Sequence, residues 1–257
     1  MSVDACAALV ARGDPDRFAA VMAAPVAARG RLLVLYAFNL EVARAPWVTQ
    51  EALIAEMRLQ WWRDVVAEAG AGQAARAHEV AGPLARLIDE AALPVEAMDR
   101  MIAARRWDIY REPFEDGGLD LYLEDTAAGL MWLAGAALGA GRDTEEALRG
   151  LGWAAGLAAF LRAVPELEAR GRVPLGDGQS AQVAALARDG LARIAAARPT
   201  IRRLRGAERA ATLAAWQAEP LLRQAVAEPE RVAQGALHLS EFARRWRLLR
   251  AGLWSGL

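Results

Sequence analysis

Few of the side chains that usually carry out catalysis or bind transition metals occur in this sequence of 257 residues. Cys6 is the only cysteine, and His78 and His238 are the only histidines. A single thiol excludes an internal disulfide and a multi-thiolate metal site, and two histidines exclude a histidine-rich zinc site. Cys6 lies in an alanine-rich segment, which is typical of an inert thiol. No serine or cysteine stands in a recognisable nucleophile motif.

No segment has the glycine spacing of a phosphate-binding loop. Gly152 and Gly156 bracket a short run, Gly-Trp-Ala-Ala-Gly, that lacks the spacing of the common nucleotide-binding fingerprints and follows no strand. Small residues in such a run are more typical of two helices that pack closely. The sequence therefore predicts a packing role for both glycines.

The elements that would position functional residues are predicted to be helices from end to end. Alanine, leucine, arginine and glutamate dominate, β-branched residues are sparse, and no segment alternates like a strand. Glycine and proline clusters separate about eight to ten helices, with breaks that include Gly82-Pro83 and Pro199. With no linker or repeat, residues 1–257 are predicted to form a single all-α domain.

Three segments have informative helical patterns. Apolar residues fill nearly every position of 31–43, as expected for a helix at the centre of a bundle. In 50–68, apolar residues recur every four positions and predict a core-facing stripe of Leu53, Met57, Trp61 and Val65. Segment 126–141 is uncharged, but its 16 residues fall short of the roughly 20 needed to span a bilayer, so we expect a buried core helix.

Composition excludes several classes of protein. Hydrophobic residues make up 55% of the chain and the net charge is −1, so we expect neither a disordered chain nor a strongly polyanion-seeking one. The N-terminal segment carries Asp4, Arg12, Asp14 and Asp16 without a continuous apolar run, which does not match a signal peptide. We therefore expect a cytoplasmic protein, with peripheral contact to the inner membrane left open.

Two segments concentrate arginine. One runs from Arg198 to Arg209, and the other, from Arg244 to Arg250, flanks an apolar stripe of Leu239, Phe242, Trp246, Leu249 and Leu253. Solvated helix faces explain both segments most simply. An anionic membrane surface or an acidic partner is the alternative, since basic amphipathic helices bind such surfaces. Nucleic acid is not expected as a partner, because no recognised binding fold accompanies the arginines.

Four strings, in order between Ala27 and Leu175, resemble the squalene/phytoene synthase family. They are 29–38 (RGRLLVLYAF), 57–64 (MRLQWWRD), 122–131 (YLEDTAAGLM) and 161–175 (LRAVPELEARGRVPL). The resemblance implies an isoprenoid-synthase-like helical bundle with a central apolar cleft. Family members with synthase activity join two prenyl diphosphates head to head. In them, Mg²⁺ held by two aspartate-rich motifs on facing helices neutralises the leaving diphosphate.

The same resemblance places no carboxylate where the Mg²⁺ ligands are expected. The first motif would put aspartates at Ala43 and Trp47, and the second would put them at Ala163 and Leu167. None of these four side chains offers an oxygen ligand, so we expect no catalytic residue, no metal site and no Mg²⁺. A single glutamate near each motif would be a poor cage for metal ions.

Other residues of the motifs are retained. The resemblance implies that Arg162, Glu166, Arg170, Arg172 and Tyr36 are what remains of a diphosphate-binding site. They would then bind an anion or a lipid headgroup. The alternative is that the arginines pair with glutamates one helical turn away.

The substituted pattern resembles the branch that contains the mitochondrial complex I assembly factor and its bacterial relatives, on strings such as 37–41 (AFNLE). This implies a catalytically degenerate protein that binds a prenyl lipid or diphosphate, or a protein partner during assembly of a respiratory complex. The alternative is a divergent Mg²⁺-dependent prenyltransferase of the squalene or phytoene synthase type. It would act on farnesyl or geranylgeranyl diphosphate.

Overall fold

The structure is a computed structural model that describes residues 3–110, 112–175 and 180–253. Helices account for 78% of it and no strand occurs in these ranges, so the predicted all-α class is confirmed. In chain order the α-helices are α1 (Val3–Gly13), α2 (Pro15–Ala23), α3 (Val26–Arg44), α4 (Ala52–Gly70), α5 (Ala81–Ala91), α6 (Val95–Ala104), α7 (Gly118–Leu123), α8 (Gly129–Ala137), α9 (Glu145–Ala169), α10 (Ser180–Ile201), α11 (Ala218–Ala227), α12 (Glu230–Ala233) and α13 (Glu241–Leu253). Short 3₁₀ segments lie at Ala45–Trp47, Arg105–Asp108, Arg142–Thr144 and Glu208–Ala215, and a π turn lies at Glu124–Ala128.

The described residues contain thirteen α-helices, which is more than the eight to ten predicted. The excess comes from short helices such as α7, with six residues, and α12, with four, in which no apolar period is visible. Two predicted breaks were also wrong. Pro83 lies in the first turn of α5, where a residue needs no N–H partner, and Pro199 lies in the last turn of α10.

Helix α3 lies at the centre of one of two apolar cores, as its sequence predicted. Every residue from Leu32 to Leu40 is buried. The Phe38 ring meets the Trp62 ring edge-on, with 5.5 Å between the ring centroids. Residues of α1, α2, α4, α5, α6 and α8 also belong to this core, together with the 3₁₀ segment Glu208–Ala215, so the core draws mainly on the first half of the chain.

Helix α4 turns a different face to this core from the predicted one. Of the predicted stripe, Leu53 and Met57 are exposed and Trp61 is half-buried. Val65 is buried as predicted, and the rest of the buried face is formed by Ala55, Leu59, Trp62, Val66 and Ala69. Two apolar stripes overlap along α4, and residue type alone does not show which of them α5 and α6 cover.

The second core is built mainly on α9, α10 and α11, and α9 also packs tightly against the π turn. A Cβ atom on Gly152 would lie 2.5 Å from the Cβ of Met131 and 2.8 Å from the carbonyl oxygen of Ala127. A Cβ atom on Gly156 would overlap the Cβ of Ala127. Only glycine permits this approach, so the predicted packing role of both glycines is confirmed.

Two strongly apolar segments lie inside the protein. Helix α8 is almost entirely buried, as expected for the predicted core helix 126–141, and in the π turn Thr126 and Ala128 are buried. Within the described ranges one stretch, Arg142–Ala169, is long and apolar enough to cross a membrane. In the most apolar part of this stretch 67% of the residues are buried inside the protein, which is typical of a core helix.

Candidate functional site

A cleft between the two cores includes two adjoining compartments, and a third cavity of about 460 Å³ borders the larger of the two. The larger compartment has a cavity volume of about 370 Å³ and the smaller one about 180 Å³. Arg17, Ala127, Gly156 and Ala159 line both, so the compartments share a boundary. The C-terminal half of α3 and the 3₁₀ segment after it lie on one side of the larger compartment, and α9 and the π turn line the other side.

All four positions at which the resemblance implies a lost aspartate line the larger compartment. Ala43 lies in the last turn of α3 and Trp47 ends the following 3₁₀ segment. Ala163 and Leu167 lie one helical turn apart on α9. The fold therefore brings the two motif positions together around one cavity, but their side chains present no oxygen to it.

The Trp47 ring contacts two of the retained arginines. The guanidinium carbon of Arg170 lies 4.7 Å from the ring centroid and that of Arg172 lies 5.2 Å from it. Arg172 is buried, and its guanidinium donates hydrogen bonds to the carbonyl oxygens of Trp107, Asp108 and Tyr110. This arginine thus ties the loop after α9 to the 3₁₀ segment after α6.

The other retained residues are divided between the compartments. Glu166 lines the larger compartment and accepts a hydrogen bond of 2.5 Å from Arg170, the pairing expected one turn apart. Arg162 lines the smaller compartment and donates to Asp16 at 3.3 Å. Tyr36 also lines the smaller compartment, where burial raises the pKa of its hydroxyl to about 12.

A buried polar cluster at the larger compartment was missed by the sequence reasoning. Arg105 donates to the Tyr122 hydroxyl at 2.6 Å and to the Asp108 carboxylate at 3.3 Å, and the Tyr122 hydroxyl donates to Asp108 at 3.0 Å. Burial raises the pKa of Asp108, although the positive charge of Arg105 opposes that shift. The signals in the sequence were the Arg-Arg-Trp-Asp run at 105–108 and Tyr122 at the head of the third family string.

Aromatic rings line or border the larger compartment beside this cluster. Trp107 and Phe114 stack with 4.0 Å between centroids and an interplanar angle of 5°. Tyr122 meets Trp107 edge-on, and Phe160 lies 6.3 Å from both rings. These faces give the compartment an apolar wall that suits a hydrocarbon chain.

The donor set of the cleft does not fit Mg²⁺, the ion that the family implies. Mg²⁺ needs oxygen ligands, usually including carboxylates. Each carboxylate lining either compartment, within the ranges that the structure describes, already has an arginine partner: Asp14 with Arg17, Asp16 with Arg162 and Arg244, Asp108 with Arg105, and Glu166 with Arg170. Nor do the described residues contain a group of three or more His, Cys, Asp or Glu side chains placed to hold a metal ion.

Comparison with protein families decides the relationship. The model of the squalene/phytoene synthase family matches residues 10–177, which is more than half of the chain. The chain belongs to the squalene/phytoene synthase family. A search of curated protein sequences gave no significant match.

Two solved structures resemble this family member along most of its length. One is a dehydrosqualene synthase in complex with ligand, with a TM-score of 0.80 and 15% identity over 97% of this chain and 94% of that chain. The other is squalene synthase HpnC from Alicyclobacillus acidocaldarius, with a TM-score of 0.74 and 18% identity over 91% of this chain and 94% of that chain. At such low identity the similarity establishes the fold, and the predicted isoprenoid-synthase-like bundle is confirmed.

The cleft of this squalene/phytoene synthase family member combines an apolar interior with arginines that already have partners. Arg17, Arg105 and Arg170 line the larger compartment, and each pairs with a carboxylate. Their charges are thus largely balanced inside the protein. The arrangement can hold an apolar chain and offer guanidinium donors to a polar head. Little net positive charge remains in it to neutralise a leaving group.

Proposed function

We propose that this family member is a catalytically degenerate binding protein. It holds a prenyl lipid or prenyl diphosphate in the cleft without Mg²⁺ and without breaking the bond to the head group. The observation that carries the proposal is that each described carboxylate lining the cleft pairs with an arginine, while Ala43, Trp47, Ala163 and Leu167 offer no oxygen ligand.

Electrostatics supports binding over catalysis. Departure of a diphosphate develops negative charge that must be neutralised as the C–O bond breaks, and divalent ions do this in the synthases of the family. Here the guanidinium groups that line the larger compartment share their charge with Asp14, Asp108 and Glu166. Arginines paired in this way can still donate hydrogen bonds to an anionic head group. They leave little net positive charge to neutralise a departing diphosphate.

Shape supports a prenyl chain as the ligand. Small-molecule sites are usually cavities of about 300–1,000 Å³ with an apolar lining and a few placed polar groups. The larger compartment, at about 370 Å³, lies within this range, and the smaller one adjoins it. The aromatic wall and the Tyr122–Arg105–Asp108 cluster provide both kinds of contact.

In its more specific form, the proposal is that the protein assists the assembly of a respiratory complex at the periphery of the inner membrane. It rests on the resemblance of strings such as 37–41 (AFNLE) to the assembly-factor branch. The alternative is a divergent Mg²⁺-dependent head-to-head prenyltransferase. That enzyme would convert farnesyl or geranylgeranyl diphosphate to product.

Mass spectrometry of organic extracts from the native protein tests the binding proposal. We expect a prenyl lipid to co-purify with the wild type. We expect about tenfold less of it with Ala163→Trp, which places an indole in the larger compartment; tenfold corresponds to about 1.4 kcal/mol. Ala169→Trp is the matched control, because Ala169 is an exposed residue on the same helix and lies outside the lining of the cleft. A plain scaffold would yield no lipid from any variant, and equal lipid from both variants would place the ligand elsewhere.

A further inference from the structure

The fold brings the two arginine-rich segments of the sequence together at one end of α13. The Arg209 guanidinium donates a hydrogen bond of 3.2 Å to the carbonyl oxygen of Ala251. Burial lowers the pKa of Arg209, and the charge of the neighbouring Arg205 lowers it further. Arg209 follows the exposed Arg202, Arg203 and Arg205 in sequence, so the end of the first arginine-rich segment meets the C-terminal end of α13, although more than forty residues separate the two.

Helix α13 packs on the protein through one face and leaves the opposite face uncovered. Leu248 and Ala251 pack against the first core. Successive residues turn by about 100°, so Phe242, Trp246 and Leu249 share the opposite face within an arc of roughly 60°. Their exposed fractions are 78%, 47% and 51%, respectively, which are large values for side chains of this size.

Arginines border this apolar stripe on both sides. By the same geometry Arg245 lies on one edge of the stripe and Arg250 on the other, each about 60–80° from its centre. Arg245 is exposed and reaches Glu241 only at 3.9 Å. Neither Arg247 nor Arg250, which are both exposed, has an ion-pair partner among the residues that the structure describes.

We infer that the exposed face of α13 docks on an anionic lipid bilayer. A helix that lies in the membrane interface buries aromatic and aliphatic side chains in the headgroup region, while arginines along its edges contact lipid phosphates. Charge complementarity favours this occupant. The net charge of the chain is only −1, yet the exposed Arg245 and Arg250 flank the stripe and concentrate positive charge beside it.

The packed side of α13, opposite the docking face, lies next to the cleft. Arg244 pairs with Asp16 at 2.5 Å, and Asp16 lines the smaller compartment, where it also pairs with Arg162. A bilayer in contact with the exposed face of α13 would therefore lie about one helix diameter, roughly 10 Å, from that compartment. The docking inference itself does not depend on what the cleft binds.

Co-sedimentation with sucrose-loaded vesicles tests the inference on the full-length protein. One set of vesicles is pure phosphatidylcholine, and in the other roughly one third of the lipid is phosphatidylglycerol. We expect wild-type protein to bind the anionic vesicles at least about tenfold more tightly than the neutral ones, and expect this preference to weaken in about 1 M salt. The triple variant Phe242→Ser/Trp246→Ser/Leu249→Ser should lose about tenfold or more in binding, as should Arg245→Glu/Arg247→Glu/Arg250→Glu.

The matched control is Leu53→Ser/Met57→Ser, which removes two exposed apolar side chains from α4 on a different surface. This variant should bind anionic vesicles as the wild type does. Far-UV circular dichroism and thermal unfolding show whether each variant remains folded; because all substituted side chains are exposed, we expect little change. Wild-type protein that ignores anionic vesicles, or an α13 variant that binds them normally, would overturn the inference, and so would equal loss in the α4 control. Binding of an acidic protein through α13 without any binding to vesicles would also overturn it.

Discussion

The buried cluster beside the cleft gives a sharp prediction for Arg105→Met. Asp108 is only 5% exposed and pairs with Arg105, so removing the guanidinium leaves a buried carboxylate without its cation. Breaking a buried pair in this way costs about 3–5 kcal/mol of unfolding free energy. The Arg105 side chain keeps 16% exposure and Tyr122 still donates to Asp108, so we expect the lower end, about 3 kcal/mol.

The loss of unfolding free energy in Arg105→Met should depend on pH in a defined direction. Burial already raises the pKa of Asp108, and removing Arg105, whose charge lowers that pKa, raises it further. A carboxyl whose folded pKa lies above its unfolded value contributes stability at low pH, which is lost as the pH rises through the folded pKa. The deficit of the variant should therefore be largest near about pH 7 and shrink towards about pH 4.5.

Urea unfolding followed by circular dichroism measures both quantities. Arg106→Met is the matched control, because Arg106 is the next residue, is exposed and pairs with Glu56 on the surface; it should cost less than about 1 kcal/mol. The double variant Arg105→Met/Asp108→Leu should recover most of the stability, since it removes both buried charges. A loss for Arg105→Met no larger than for Arg106→Met, or one that does not change with pH, would refute the reasoning.

Two further predictions concern the cores. Gly152→Ala should destabilise the protein by about 1–3 kcal/mol in thermal unfolding, since the new Cβ meets Met131 at 2.5 Å and backbone at 2.8 Å. Gly150→Ala on the same helix, where the nearest atom would be 3.7 Å away, should stabilise by up to about 1 kcal/mol, and the same sign for both would contradict the packing account. The Cys6 thiol, whose pKa burial raises to about 11, should resist alkylation at about pH 8 until the protein is unfolded; rapid modification of native protein would disprove its burial.

The elements with strong local signals could be predicted from the sequence. A run of apolar residues with almost no gaps identified α3 as a central helix, because only a helix buried on all sides tolerates such a run. Gly152 and Gly156 were identified as packing residues because no strand precedes them. The sequence could not show which face of α4 is buried, since Leu53 and Met57 are as apolar as the residues that α5 and α6 cover.

The candidate site could be predicted only in part. The family strings named Ala43, Trp47, Ala163 and Leu167, and the fold places them around one cavity. The family strings could not show that Arg172 donates its hydrogen bonds to backbone carbonyl oxygens. Those carbonyls lie more than sixty residues away in the chain, so the hydrogen bonds follow from tertiary packing and leave no local pattern.

The pairing of Arg105 with Asp108 and Tyr122 has the same origin. Arg105 and Asp108 are close in sequence, but Tyr122 joins them only because α7 folds back across the 3₁₀ segment. The meeting of the two arginine-rich segments likewise depends on the contact between Arg209 and Ala251. Neither meeting could be predicted from local patterns, because the contacts form only in the folded chain.

The central claim is that the cleft binds its ligand without divalent ions, and equilibrium binding of geranylgeranyl diphosphate with and without Mg²⁺ tests it most directly. The account predicts dissociation constants that agree within about twofold in the two conditions, with all of the diphosphate recovered unreacted. Binding that tightens by more than about tenfold on addition of Mg²⁺, or release of diphosphate with formation of a coupled product, would contradict it.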